Sequence, residues 1–105
     1  MSVHQITTAA FEKEVLQSEK PVLVDFYADW CGPCKMLAPT LAAVAAEHDE
    51  FKIVSVNVDD EDELAERYGV FSIPCLVVFK NGAEADRSVG AIPKEQILSL
   101  IGGAK

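Results

Sequence analysis

The run Val22-Leu23-Val24-Asp25-Phe26-Tyr27 limits the fold of this chain more than any other segment. It is apolar at nearly every position, and Lys20-Pro21 closes off what precedes it. A strand with one wet face alternates apolar and polar residues. A strand that does not alternate has to be covered on both faces, as in a parallel sheet packed between helices. At 105 residues the chain has the length of one domain, spanning 1–105. That is enough to bury a layered core without disulfide staples.

The flanking segments carry matching periodicities. Residues 3–6 predict a short strand. Thr7 or Thr8 then caps a helix running to about residue 18, with Phe11 and Val15 on one face. A second helix runs from about Cys31 to about His48, with Cys34, Leu37, Ala38, Leu41 and Val44 at helical spacing. Pro39 lies inside it and should kink it. Residues 51–58 alternate and are rich in β-branched side chains, so they predict a strand. Asp59 or Asp60 is the expected cap of a short helix ending at Gly69, with Leu64 and Tyr68 inward. Residues 76–80 and 83–89 flank Asn81-Gly82, a strong hairpin signal. Pro93 opens a last helix with Ile97 and Ile101 inward, and Gly102 is its expected end. The order is βαβαβαββα, an α/β chain with parallel right-handed crossovers in its front half and an antiparallel hairpin after it.

Charge removes several function classes. The formal net charge is −8, so there is no cationic excess to neutralise nucleic-acid phosphates or to bind an anionic membrane. The N-terminal residues show no basic stretch followed by an apolar one, and no apolar run is long enough for a bilayer. The expected compartment is cytoplasmic. In a reducing compartment a close cysteine pair reads as redox or metal chemistry rather than scaffolding.

That pair is Cys31-Gly32-Pro33-Cys34, set between the buried strand and the second helix. A helix N-terminus carries unpaired N–H groups and partial positive charge, and both stabilise a thiolate. Cysteine pKa values at such places fall to between ~3.5 and ~7.5. The thiolate is the attacking species in disulfide exchange. Cys31, at the helix mouth, is the expected nucleophile within reach of substrate. Cys34, one turn deeper on the apolar face, is the expected shielded thiol that resolves the mixed disulfide. Zinc sites share the C-x-x-C spacing but need three or four ligands. His48 stands at a plausible distance, yet no second histidine follows it, and the only other histidine is His4. No metal is expected. A purely structural disulfide would close too short a loop to constrain the unfolded chain.

The stretch Trp30-Cys31-Gly32-Pro33-Cys34-Lys35 resembles the active-site motif of the thioredoxin family. The resemblance extends along the chain through Asp25, Pro39, Ile73-Pro74, Phe79-Lys80-Asn81-Gly82 and Gly90. It implies a thioredoxin fold with a mixed five-stranded central sheet flanked by four helices. It implies a protein-disulfide reductase, re-reduced by a thioredoxin reductase, acting on disulfide-containing proteins with no bound cofactor other than a redox-active Cys31–Cys34 disulfide. The expected state is a monomer. A thiol oxidase or isomerase of the same fold, or a docked binding subunit, are the competing functions. Gly32-Pro33 favours the reductant.

The resemblance also assigns site residues. Asp25 interrupts an apolar strand. It is either a hydrogen-bonded structural carboxylate or a buried base with a raised pKa that relays the Cys34 proton. Trp30 becomes a partly exposed contact beside the nucleophile rather than plain core. Gly32, Pro33, Ile73, Pro74 and Gly90 join it as substrate-contacting positions, with a cis Ile73–Pro74 bond facing Cys31. The acidic run from Asp59 to Glu63 and His48 both have simple helix-dipole explanations. Three positions depart from the family pattern: Ser55 where a lysine is common, Cys75 where threonine is common, and Tyr27 in place of a tryptophan. For Cys75 three readings compete: a packed small residue, an oxidation-sensitive thiol, or a third metal ligand. Side-chain alternation turns it away from the face that Pro74 presents, which favours packing.

Overall fold

In the computed structural model, which describes residues 3–103, the chain passes through β1 (His4–Gln5), α1 (Thr8–Phe11), β2 (Val22–Tyr27), α2 (Gly32–Glu47), β3 (Lys52–Asn57), α3 (Asp62–Arg67), β4 (Cys75–Lys80), β5 (Ala83–Val89) and α4 (Lys94–Gly103). The domain expected over 1–105 extends beyond the described residues at both ends. The order is βαβαβαββα, an α/β fold. The strands form one mixed sheet in the order β1-β3-β2-β4-β5. β1 and β2 run parallel to β3, while β4 is antiparallel to both β2 and β5.

β2 therefore has hydrogen-bonded neighbours on both edges, and helices cover both of its faces. Val22, Val24 and Phe26 point into one core with Phe11, Val15, Val54, Val56 and Leu64. Leu23 points into the other, with Leu37, Leu41, Val44, Ile53, Ile97 and Ile101. So α1 and α3 cover one side, and α2 and α4 the other. This double burial is why the run carries no alternation. Asp25 has the parity of Leu23, so it faces α2. Cys75 packs in the opposite core.

Local chemistry explains the boundaries, including those that differ from expectation. Thr7 caps α1, accepting the Ala10 N–H on its hydroxyl. The helix then widens into a π-helical turn, Glu12–Leu16. β1 is shorter than residues 3–6, although the Ile6 N–H still donates to the Ser55 carbonyl at 2.9 Å. Neither Asp59 nor Asp60 caps α3. Both lie in the turn after β3, where Asn57 Oδ1 accepts the Asp59 N–H at 2.9 Å. The N-cap is Glu61, and its carboxylate is engaged elsewhere, accepting the N–H and hydroxyl of Thr8, each at 2.8 Å. Ala38 is exposed rather than buried with Leu37 and Leu41, and Ala45 takes the inward place. Gly102 does not end α4, which continues to Gly103. Asn81 and Gly82 both have positive φ, 55° and 82°, the turn that joins two twisted strands in two residues.

Phe11 is fully buried, with its ring 5.3 Å from Tyr68 and 5.4 Å from Phe79. Phe11→Ala leaves a cavity that these rings cannot collapse into. It should cost about 3–5 kcal/mol by urea unfolding, and a loss below about 1 kcal/mol would contradict this packing.

Candidate active site: a disulfide at a helix mouth

The turn after β2 delivers the chain to the N-terminus of α2, with the Cys31 N–H donating to the Ala28 carbonyl at 3.2 Å. Cys31 is the N-cap, in extended conformation, and Pro33 occupies the first turn. A proline is well tolerated there because first-turn N–H groups have no partner within the helix. The Cys34 N–H donates to Cys31 Sγ at 3.2 Å. A sulfur thus does what a serine or aspartate oxygen does at an ordinary cap. In the thiolate state the same N–H and the helix dipole lower the energy of a negative Cys31.

Cys31 and Cys34 form a disulfide, with Cα atoms 5.3 Å apart. The sequence puts Cys31 within reach and Cys34 under cover. In the disulfide state both are 4% exposed, so exposure does not separate them. The bonded cysteines form a small cluster with Ala28, against which Tyr27, Val58 and Ile73 pack. What separates the two sulfurs is placement: one caps the helix, the other faces the sheet.

Beneath Cys34 lies a cavity of about 140 Å³, lined by Val3, Asp25, Tyr27, Cys34, Ala38, Leu41 and Ser55. Asp25 is 5% exposed, and its Oδ1 has no hydrogen-bond partner among the described residues. A buried polar atom in that condition is uncommon. Burial alone pushes the Asp25 carboxyl up from 3.8 to about 7. Ser55 is its direct neighbour on β3.

The remaining site residues gather around the same end of the sheet. Trp30 is 70% exposed, and its indole N–H donates to Asp59 Oδ2 at 2.9 Å. Gly32 and Pro33 are exposed. The Ile73–Pro74 bond is cis, and Ile73 packs on the cysteine cluster. Gly90, at φ 99°, donates its N–H to the Pro74 carbonyl at 2.8 Å, which ties the end of β5 to this loop. The histidines sit elsewhere: His48 pairs with Glu50 and stacks on Phe51, and His4 lies beside Glu14.

Cys75 is 1% exposed and faces the core opposite the cavity. Burial pushes its thiol up, and the Arg87 guanidinium beside it acts in the other direction. Arg87 also donates to the Tyr68 carbonyl at 2.7 Å and pairs with Glu84. Sequence reading missed Arg87 because only the hairpin register brings it beside Cys75. It likewise missed Asp59 as the partner of Trp30.

The chain matches the thioredoxin family model over residues 2–102. It is 46% identical over 102 residues to thioredoxin of Porphyra purpurea, covering 96% of this chain and 95% of that one. It is 48% identical over 91 residues to thioredoxin 1 of a Nostoc species, covering 86% and 85%. It is 42% identical over 100 residues to thioredoxin of Rickettsia typhi, covering 94% and 95%. An α/β sheet with a dithiol–disulfide centre at a helix mouth defines a class of protein-disulfide oxidoreductases. The chain belongs to the thioredoxin family of that class.

Between pH 3.8 and about 7 the folded state keeps an Asp25 proton that the unfolded chain has released, so stability falls as pH rises through that window. Above it the carboxylate costs the folded state roughly 4 kcal/mol. The oxidised Asp25→Asn variant should therefore exceed the parent in stability by a few kcal/mol at pH 8 and match it near pH 3. Equal stability at pH 8 would contradict the burial account. Cys75 should react with iodoacetamide far more slowly than Cys31 in the reduced protein, and Cys75→Ala should keep most of the reductase activity. Comparable alkylation rates would overturn its packed role.

Proposed function

We propose that this oxidoreductase works as a reductant of protein disulfides, with Cys31 as nucleophile and Cys34 as resolving thiol. The observation that carries this is the Cys31–Cys34 bond itself, joining the N-cap of α2 to a residue that shares a cavity with the buried Asp25 carboxyl, whose Oδ1 has no partner among the described residues. In the reduced protein the Cys31 thiolate attacks one sulfur of a substrate disulfide. A Cys31–substrate bond forms, and the other substrate sulfur leaves with the electron pair. Cys34 then gives its proton to Asp25 and attacks Cys31 Sγ. The Cys31–Cys34 bond forms, the Cys31–substrate bond breaks, and the second substrate sulfur leaves as a thiolate. Two electrons have passed to the substrate, and two protons complete its thiols.

Asp25 suits the proton step because its ionisation lies close to neutral pH, where a base is both available and strong enough. Trp30, Gly32, Pro33, Ile73, Pro74 and Gly90 form the contact surface for the incoming chain. An extended substrate segment could take strand-like hydrogen bonds from the backbone before Pro74. The redox centre is the cysteine pair, with no bound metal or organic cofactor. A thioredoxin reductase restores the dithiol, and disulfide-containing proteins are the substrates. A cytoplasmic setting fits, because thiols are held reduced there. We take the working unit as a monomer. The charge of −8 speaks against nucleic acid as a partner. Among the described residues no helix is long and apolar enough to cross a membrane.

The test is reduction of a disulfide-bonded protein with dithiothreitol as the electron source. Cys31→Ser should fall to the rate of dithiothreitol alone. Cys34→Ser should accumulate a mixed disulfide visible by mass spectrometry. Undiminished turnover by Cys31→Ser would reject the assignment.

A further inference from the structure

The cavity under Cys34 has a second polar wall that this mechanism leaves unused. Ser55 stands beside Asp25 in the parallel pairing of β2 and β3, so their side chains emerge on the same face of the sheet. Both line the cavity with Cys34 and Tyr27, while Val3, Ala38 and Leu41 complete it with apolar surface. About 140 Å³ is room for several water molecules. A water in such a place needs two or more polar partners to stay. Asp25 Oδ1 has none among the described residues. A serine hydroxyl can donate and accept at once, so it can hold a water against a carboxyl in either protonation state.

We propose that Ser55 is a positioning residue for the resolving half-reaction, holding the water through which the Cys34 proton reaches Asp25. The inference rests on Asp25 being the proton acceptor. Ser55 touches neither sulfur nor substrate in this role. Its hydroxyl keeps the carboxyl hydrated and aligned with the thiol. The covalent step is unchanged: the Cys34 proton passes by way of the water to Asp25, the Cys34–Cys31 bond forms, and the Cys31–substrate bond breaks.

The groups around Asp25 are few. Tyr27 lies two residues along the same strand, Cys34 faces it from α2 and Ser55 from β3, and β4 places apolar Leu76 opposite. Cys75 belongs to the far face of the sheet. None of these offers a cation to hold the carboxylate. Loss of the hydroxyl therefore leaves the charged form less hydrated.

The experiment compares the parent with Ser55→Ala, Ser55→Thr and Asp25→Asn. One readout is the Asp25 carboxyl titration by carbon-13 NMR. The other is the rate of mixed-disulfide resolution against pH, followed by fluorescence of Trp30, the single tryptophan in the sequence. Ser55→Ala should move the carboxyl titration and the rising limb of the rate profile up by about half a unit or more. With the parent carboxyl titrating at about 7, that corresponds to about a twofold slower resolution at pH 7, approaching threefold well below it. Its urea midpoint should be unchanged near pH 3, where the carboxyl is protonated in both states, and Ser55→Thr should restore both profiles. If Ser55→Ala leaves both curves in place while Asp25→Asn slows resolution, the role of Ser55 is refuted and that of Asp25 stands. If Asp25→Asn resolves at the parent rate, both fall.

Discussion

β2 is enclosed on four sides. β3 and β4 satisfy its backbone along both edges, and side chains from helices fill both of its faces. The rest of the molecule follows from that enclosure. A strand so placed leaves the sheet at one defined point, and the chain emerging there has to turn into a helix that packs back over the sheet. The turn fixes Cys31 at the N-terminus of α2, with the Cys34 N–H on its sulfur. The same enclosure leaves Asp25 in the middle of the strand without water on either edge. One constraint therefore produces two perturbations. It supplies the partial charge that favours a Cys31 thiolate, and it removes the solvation that would keep Asp25 an ordinary carboxylate.

These perturbations divide the labour between two chemically identical side chains. In the disulfide the cysteines are equally buried, so solvent access does not assign their roles. Position does. Cys31 caps the helix with the Cys34 N–H on its sulfur, and Cys34 sits over the cavity that Asp25 lines. The Asp25 carboxyl costs stability, because a buried carboxyl whose Oδ1 has no partner among the described residues destabilises the fold as pH rises toward neutral. Conflicts between local stability and burial are expected where a site does chemistry.

Much of this was legible in the sequence because it depends on periodicity. The absence of alternation in residues 22–27 gave the enclosed strand over the same residues, and Asn81-Gly82 gave the hairpin. Cys31 and Cys34 stood out by their spacing at a helix start and Asp25 by interrupting an apolar strand, while Ile73 and Pro74 entered only through the resemblance to the thioredoxin family. What was not legible depends on contacts between distant segments. Asp59 reads as a helix cap until Trp30 claims its carboxylate. Glu61 takes the cap position while its side chain reaches Thr8. Arg87 meets Cys75 only through the β4–β5 pairing. Ala38 fits the apolar stripe of α2 by spacing, yet it lines the open cavity under Cys34 and stays exposed. Cys31 is buried in the disulfide state, although its place at the helix mouth reads as accessible.

The central claim is that the fold makes the two active-site thiols unequal. The most direct measurement is the separate ionisation of Cys31 and Cys34 in the reduced protein, followed by pH-dependent alkylation with each cysteine mapped by mass spectrometry. The account predicts that Cys31 ionises well below the free-thiol value of about 8.5 and that Cys34 ionises above it. Ionisation of Cys34 first, or of both thiols together at the free-thiol value, would contradict it.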